Sequence, residues 1–291
     1  MAIAVSCINM KGGVGKTTIA SQLAYDTALA GRRVLAVDLD PQANLSQSIL
    51  GAEEYVKHLG DGGATVVQLF EDYLPPSGNR GAPEPIDLND VILSGAGYWE
   101  TAESLDLIPS RLELSRTLKN PTGKERRLAK GLSRVSGNYD LVVIDCAPTE
   151  SILTDAAYFA SRYVVVPVKL EFMATIGLPL LARSVRDFKL ENEDREIDIA
   201  GLVLNNSEYS EYGEREKARE EIQQNAEEFG WHIFQTQLPY SRSLPKAARR
   251  GLPLASTPHA KWERVEIIQD LAREIRDSIG LENPALTDDE L

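Results

Sequence analysis

Short apolar runs recur along the chain with helical patterns between them. Ala2–Ile8, Val34–Asp40, Ser104–Pro109, Tyr139–Pro148, Tyr163–Val168, Ile199–Asn206 and Ile233–Pro239 read as strands. Several are apolar at consecutive positions, as in strands covered on both faces of a parallel sheet. Ile19–Ala30, Gly177–Leu190, the acidic segment Glu208–Phe229 and Trp262–Ile279 read as helices. In the last of these, Trp262, Val265, Ile268, Ala272, Ile275 and Ile279 share one face, the stripe expected to dock on a core. Alternation of strand and helix from end to end predicts an α/β fold, one doubly wound and mostly parallel sheet flanked by helices. No repeat or internal boundary interrupts it, so residues 1–281 are expected to form one domain, with an acidic, frayed tail over 282–291.

Residues 51–104 fit this pattern least. Thr65–Leu74 has helical spacing, and the Pro- and Gly-rich stretch Pro75–Pro85 reads as a loop. The segment is expected to be a variable surface excursion. Lys119–Arg134 is a basic, mostly helical run, by default a solvated helix face.

Chemistry concentrates after the first strand. Met10-Lys11-Gly12-Gly13-Val14-Gly15-Lys16-Thr17-Thr18 joins that strand to the first helix. Strand, glycine-rich loop, Lys-Thr and helix form the context of a phosphate-binding loop. Its backbone N–H groups converge on phosphate oxygens at the positive end of the helix dipole. Lys16 is expected to reach β- and γ-phosphates, and Thr17 to bind Mg²⁺. The strict spacing G-x-x-x-x-G-K-[ST] fails at its first glycine, where Met10 stands, and a second lysine, Lys11, enters the loop.

Two further strands end in acids. Val34–Asp40 delivers Asp38 and Asp40, and Tyr139–Pro148 delivers Asp145. Ligands of open parallel sheets collect outside the carboxyl ends of the strands, so these acids are expected to share the crevice of the phosphate loop. An acid closing a buried strand is costly unless a cation compensates it, and Mg²⁺ beside Asp145 would do so.

Composition narrows the class. With 291 residues and 43% hydrophobic content the chain can bury a large core. Its two cysteines, Cys7 and Cys146, lie within apolar runs and read as buried reduced thiols, which fits a cytosolic address. No signal peptide and no membrane-length apolar run is visible. The net charge of −13 disfavours a surface basic all over. Residues 242–276 nevertheless carry eight Arg and Lys against four acids. Arg242, Lys246, Arg249 and Arg250 recur at i, i+4, i+7 and i+8, one face if the element is helical.

Taken together, Lys11–Thr18, Asp38-Leu39-Asp40-Pro41-Gln42-Ala43-Asn44 and Asp145-Cys146-Ala147-Pro148-Thr149 resemble the ParA family of partition ATPases, within the ParA/MinD branch of deviant Walker A P-loop ATPases. The resemblance covers nearly the whole chain and is weakest over 51–104. With no winged or helix-turn-helix module before the first strand, it is to the smaller type. It implies a weak intrinsic ATPase that uses ATP and Mg²⁺. Gly12, Gly13, Val14, Gly15, Lys16, Thr17 and Thr18 would hold the phosphates, and Thr17 and, through water, Asp145 the metal. Lys11 would cross to the nucleotide of a second subunit in an ATP-sandwich homodimer, and Asp40 would orient the attacking water. Asn205, or its neighbour Asn206, would meet the adenine edge, with Pro239 beside the base. No Asn-Lys-x-Asp sequence is present, which favours ATP over GTP.

The same resemblance places non-specific DNA binding near Arg242, Lys246, Arg249 and Arg250. It also implies a ParB-like adaptor on the cargo that stimulates hydrolysis, and a cytoplasmic, nucleoid-associated protein. The cargo could be plasmid, chromosome or a protein assembly. Two other readings stand beside this one. A MinD-like membrane-cycling ATPase needs a C-terminal amphipathic helix with a basic face, but here that helix has a mixed polar face and an acidic tail. A metabolic or cluster-carrying ATPase of the same fold would want bridging cysteines.

Overall fold

The computed structural model describes residues 2–71, 87–101, 103–171, 174–206 and 212–282. In chain order the principal elements are β1 (Ile3–Cys7), α1 (Lys16–Leu29), β2 (Val34–Leu39), α2 (Asn44–Leu50), α3 (Ala52–Gly60), α4 (Val67–Phe70) and β3 (Leu105–Ile108). Then come α5 (Ser115–Lys119), α6 (Arg127–Val135), β4 (Leu141–Cys146), α7 (Ile152–Ala160), β5 (Tyr163–Lys169) and α8 (Ala174–Glu191). The chain continues through β6 (Asp198–Asn206), α9 (Tyr212–Phe229), β7 (Leu238–Pro239), α10 (Ser243–Arg250) and α11 (Trp262–Ser278).

The strands form one seven-stranded sheet in the order β3-β2-β4-β1-β5-β6-β7, with every neighbouring pair parallel. The continuous apolar runs are explained by burial on both faces. Leu35, Val37, Leu39, Val142 and Ile144 belong to one core cluster with residues of α4 and α6–α9. Val34, Ala36, Leu141 and Val143 belong to a second with residues of α1, α2 and α11. Alternate side chains of a strand point to opposite faces, so each run feeds two cores.

Four expectations are corrected. The last strand is not Ile233–Pro239. Its regular pairing is confined to Leu238–Pro239 against Asn205–Asn206, with one further bridge between Leu202 and Ile233. In the excursion the helical part is Val67–Phe70, with Thr65 and Val66 leading into it, and the unassigned start of the segment is the helix α3, which follows a second unpredicted helix, α2. Both are short, and their apolar contacts are with the rest of the fold, so periodicity carries little signal over so few residues. Residues 72–86, including the Pro- and Gly-rich stretch, and the tail from 283 onward lie outside the described residues.

The basic run is not wholly a solvated face. Lys124 is 5% exposed and ion-paired to Glu71 at 2.8 Å, and Arg127 Nη1 donates to Phe70 O at 2.9 Å. These two cations anchor the edge of the excursion. Trp262, finally, is 70% exposed, whereas Val265, Ile268, Ala272 and Ile275 are buried. The apolar stripe of α11 docks from Val265 onward, and the first residue of the helix overhangs the core.

Candidate functional site

The sheet order places β4 between β2 and β1, so three chemically distinct strand ends become neighbours. Asp145 of β4 pairs in register with Cys7 of β1 on one side and Asp38 of β2 on the other. The glycine loop after β1, the acids after β2 and the acid ending β4 therefore face one crevice. At the last loop position Gly15 has φ 105°, and a Cβ there would stand 2.8 Å from Leu238 Cδ2 and 3.1 Å from Asn205 Nδ2. The positive φ disfavours any side chain, and a methyl would also have to push the ends of the Leu238 and Asn205 side chains aside.

Lys16 opens α1 and is 6% exposed. Its Nζ donates to Asn9 O at 3.0 Å and Lys11 O at 2.9 Å, so the ammonium lies across its own loop. Burial lowers its pKa, while Asp145 acts in the other direction. Thr17 Oγ1 donates to Asp145 Oδ2 at 2.6 Å. The other oxygen, Asp145 Oδ1, is buried with no hydrogen-bond partner among the described residues. Burial, with Asp38 beside it, pushes the Asp145 carboxyl well above the usual carboxylate range.

An orphaned carboxylate oxygen next to a threonine hydroxyl is a hard oxygen donor set, the type that Mg²⁺ takes. A hydrated cation there would present a water to Oδ1 and oppose the upward shift. The residues present therefore fit the metal.

Asp38 and Asp40 play different structural parts. Asp38 is fully buried, accepts from Ser46 N at 2.8 Å and Ser46 Oγ at 2.7 Å, and accepts from Asp40 N at 3.0 Å. Burial raises its pKa to about 6, against the pull of those Ser46 contacts. Asp38 thus ties the start of α2 to the end of β2. Asp40 is 7% exposed and accepts from Gln42 N at 2.9 Å. It sits beyond the sheet, in the same crevice.

The opposite wall comes from β5, β6 and β7. Lys11 Nζ meets Glu171 Oε2 at 2.6 Å, and Lys169 Nζ lies 3.6 Å from Glu171 Oε1. The hydrogen bond from Lys11 is the main reason Glu171 is held below the ordinary carboxylate range. Sequence reasoning missed Glu171 and Lys169. The available signal was their position at the carboxyl end of a buried strand, the same rule that found Asp40 and Asp145.

Asn205 Nδ2 donates to Val14 O at 2.8 Å, so Asn205 faces the phosphate loop. Pro239 ends β7, in register with Asn206. Cys7 and Cys146 are both buried and free.

The basic residues separate into two groups. Arg276 is 5% exposed and pairs with Asp26 at 2.6 Å, and Arg273 pairs with Asp270 at 2.7 Å. Arg242, Lys246, Arg249 and Arg250 are exposed, with no ion pair among the described residues. The last three lie on α10, and Lys246, Arg249 and Arg250 line a cleft of about 600 Å³ with Ala52, Glu53, Thr257, Pro258 and His259. The helix is seated by its terminal Gly251, at φ 65°, where a Cβ would lie 2.7 Å from Gly51 N and Ile49 O. Backbone meets backbone at this contact, so α10 is held against the α2–α3 junction.

Comparison with known proteins adds three findings. A family model described as an AAA domain matches residues 2–199. The chain is 31% identical over 275 residues to the sporulation initiation inhibitor protein Soj of Bacillus subtilis, covering 93% of this chain and 97% of that one. It is also 31% identical over 272 residues to the chromosome-partitioning ATPase Soj of Treponema pallidum, covering 92% and 94%. Among solved structures, nucleotide-free McdA of Cyanothece superposes with a TM-score of 0.70 at 20% identity, covering 94% of this chain and 99% of that one.

Proposed function

The chain belongs to the ParA family of partition ATPases, and from that premise we propose that it is an ATP-driven DNA-segregation ATPase. In this reading ATP drives formation of a sandwich homodimer. The dimer holds nucleoid DNA without sequence preference, and a ParB-like adaptor on the cargo stimulates hydrolysis and release. The observation that carries the ATPase part is the meeting of Lys16, Thr17 and Asp145 at one crevice, with Asp145 Oδ1 left without a donor among the described residues.

Gly12 to Thr18 would cradle the phosphates with backbone N–H groups. Lys16 would exchange its contacts with Asn9 O and Lys11 O for β- and γ-phosphate oxygens. Thr17 and Asp145 would hold Mg²⁺, the Asp145 contact passing through water. When bound, Mg²⁺ supplies neutralisation of the charge on the β- and γ-oxygens. Asp40 would orient the attacking water, its carboxylate fixed from behind by Gln42 N. Lys11, once away from Glu171, would reach the nucleotide of the second subunit, and Asn205 and Pro239 would flank the adenine.

Support for the DNA part is the set of exposed cations Arg242, Lys246, Arg249 and Arg250, which have no acidic partners among the described residues. Arginine and lysine contacts to phosphate give affinity without sequence readout. Dimerisation doubles the patch and raises affinity through effective concentration.

The membrane-cycling alternative is the weaker reading. The apolar face of α11 is committed to the core through Val265, Ile268, Leu271, Ala272 and Ile275, and no described helix is long and apolar enough to cross a membrane. The test is the double variant Arg249→Glu/Arg250→Glu, assayed for ATP-dependent DNA retention at low salt. Loss of retention with the ATP dimer intact is expected, and unchanged retention removes α10 from the mechanism. Co-sedimentation with liposomes and ATP should give no binding.

A further inference from the structure

Trp262 is 70% exposed although it begins a helix whose next apolar residues are buried. Trp231, by contrast, is packed against Phe229 at 5.0 Å between ring centroids. An indole left in water forgoes a large burial gain, and tryptophan, with an apolar body and a polar N–H, is enriched at contact surfaces. Its location makes the contact specific. Thr257, Pro258 and His259 line the 600 Å³ cleft together with Lys246, Arg249 and Arg250. Trp262 follows His259 by three residues, which puts their Cα atoms within about 11 Å of each other. Lys261, between them, is exposed with no ion pair among the described residues.

The cleft thus carries Lys246, Arg249 and Arg250 with a single lining acid, Glu53, and beside it in the chain stand the exposed Lys261, Trp262 and Glu263, in a chain of net charge −13. Such a face complements a polyanion that also has apolar parts. Purely electrostatic attachment to phosphates has no use for an indole. A nucleic acid supplies both kinds of surface, because deoxyribose and base edges lie beside the phosphates.

We propose that Trp262 is the apolar member of a duplex-DNA face, packing against deoxyribose and base edges while Lys246, Arg249 and Arg250 hold the adjoining phosphates. The proposal rests on the reading of α10 as a DNA-binding helix. It adds a salt-insensitive component to a binding energy otherwise set by counterion release.

The two components separate in a salt titration. Affinity of the ATP-bound protein for a fluorescent duplex oligonucleotide is measured by anisotropy between about 50 and 200 mM salt. The proteins compared are the parent, Trp262→Ala, Trp262→Phe and Arg249→Glu/Arg250→Glu. Trp262→Ala is expected to lose several-fold in affinity at every salt concentration, with an unchanged log–log slope. Trp262→Phe keeps most of the affinity. The charge-reversal variant shows a shallower slope, by about 0.9 for each phosphate it no longer neutralises.

Parent-like affinity of Trp262→Ala overturns the proposal while leaving the α10 reading in place. A loss confined to single-stranded oligonucleotide overturns it too, because the ring then stacks on unpaired bases. Absence of DNA binding by the parent overturns both. Insensitivity to the Arg pair overturns the proposal together with the α10 reading, even where Trp262→Ala weakens binding. An unchanged thermal midpoint is the folding control, since an exposed ring contributes little to the core.

Discussion

Lys11 Nζ and Glu171 Oε2 stand 2.6 Å apart across the mouth of the glycine loop, and the same carboxylate draws Lys169 to 3.6 Å. The pair is about one-third exposed, and ion pairs of that kind add little to stability. Its consequence is positional, because the lysine proposed to serve a second subunit is held by its own. Replacing Glu171 with Ala is expected to lower several-fold the ATP concentration at which dimers form, with the thermal midpoint almost unchanged. Analytical ultracentrifugation across an ATP series measures this, and an unchanged midpoint of dimerisation would contradict it.

Asp40→Ala tests the water-positioning role. The variant is expected to bind ATP and DNA like the parent and to lose at least about 100-fold in turnover, the lower range for a positioned acid–base group. Phosphate release under saturating ATP is the measurement. Parent-like turnover would show that Asp40 has a different role.

Gly15→Ala combines two penalties, a side chain at φ 105° and a Cβ within 2.8 Å of Leu238 Cδ2. Backbone strain of this kind costs on the order of 1–3 kcal/mol. Thermal unfolding should show that loss, and nucleotide binding should fall with it because Asn205 and the loop are displaced. A variant with full stability and full binding would mean the loop accommodates the methyl freely.

Stabilisation by Mg²⁺ should depend on pH in a fixed direction. Because burial raises the Asp145 pKa in the metal-free chain, the folded state holds a proton there at pH values where the unfolded chain has lost it. Mg²⁺ must displace that proton, so its apparent affinity falls as pH is lowered and rises as pH is raised. Melting with ATP and Mg²⁺ at a series of falling pH values reads the effect. Asp145→Asn should abolish most of the metal-dependent shift at every pH. A shift that grows on acidification would reverse the argument.

Much of this was legible from local pattern. The runs at Val34–Asp40 and Tyr139–Pro148 announced strands buried on both faces and ending in acids, and the loop from Met10 to Thr18 announced its own context. These signals are strong because burial on two faces and a glycine-rich strand-to-helix turn each impose residue types at consecutive positions. The short helices α2 and α3 were missed because seven and nine residues carry little periodicity, and in α3 only Tyr55 is buried. The paired role of Lys124 was missed because its partner Glu71 lies 53 positions away.

The glycine loop shows where the division falls. By itself the sequence determined the order of strands and helices, the loop that can hold phosphate and the acids that end β2 and β4, since those follow from local periodicity and turn chemistry. Only the tertiary structure decided that β4 lies between β1 and β2, which brings Asp145 to Thr17 and to the level of Asp38. It also decided that Glu171 occupies Lys11, and that Arg273 and Arg276 are paired while the cations on α10 have no ion pair among the described residues. It left Trp262 beyond the core as well. Each of these depends on which residues a parallel sheet sets side by side, and hydrophobic patterning specifies which faces are buried without specifying the neighbours that bury them.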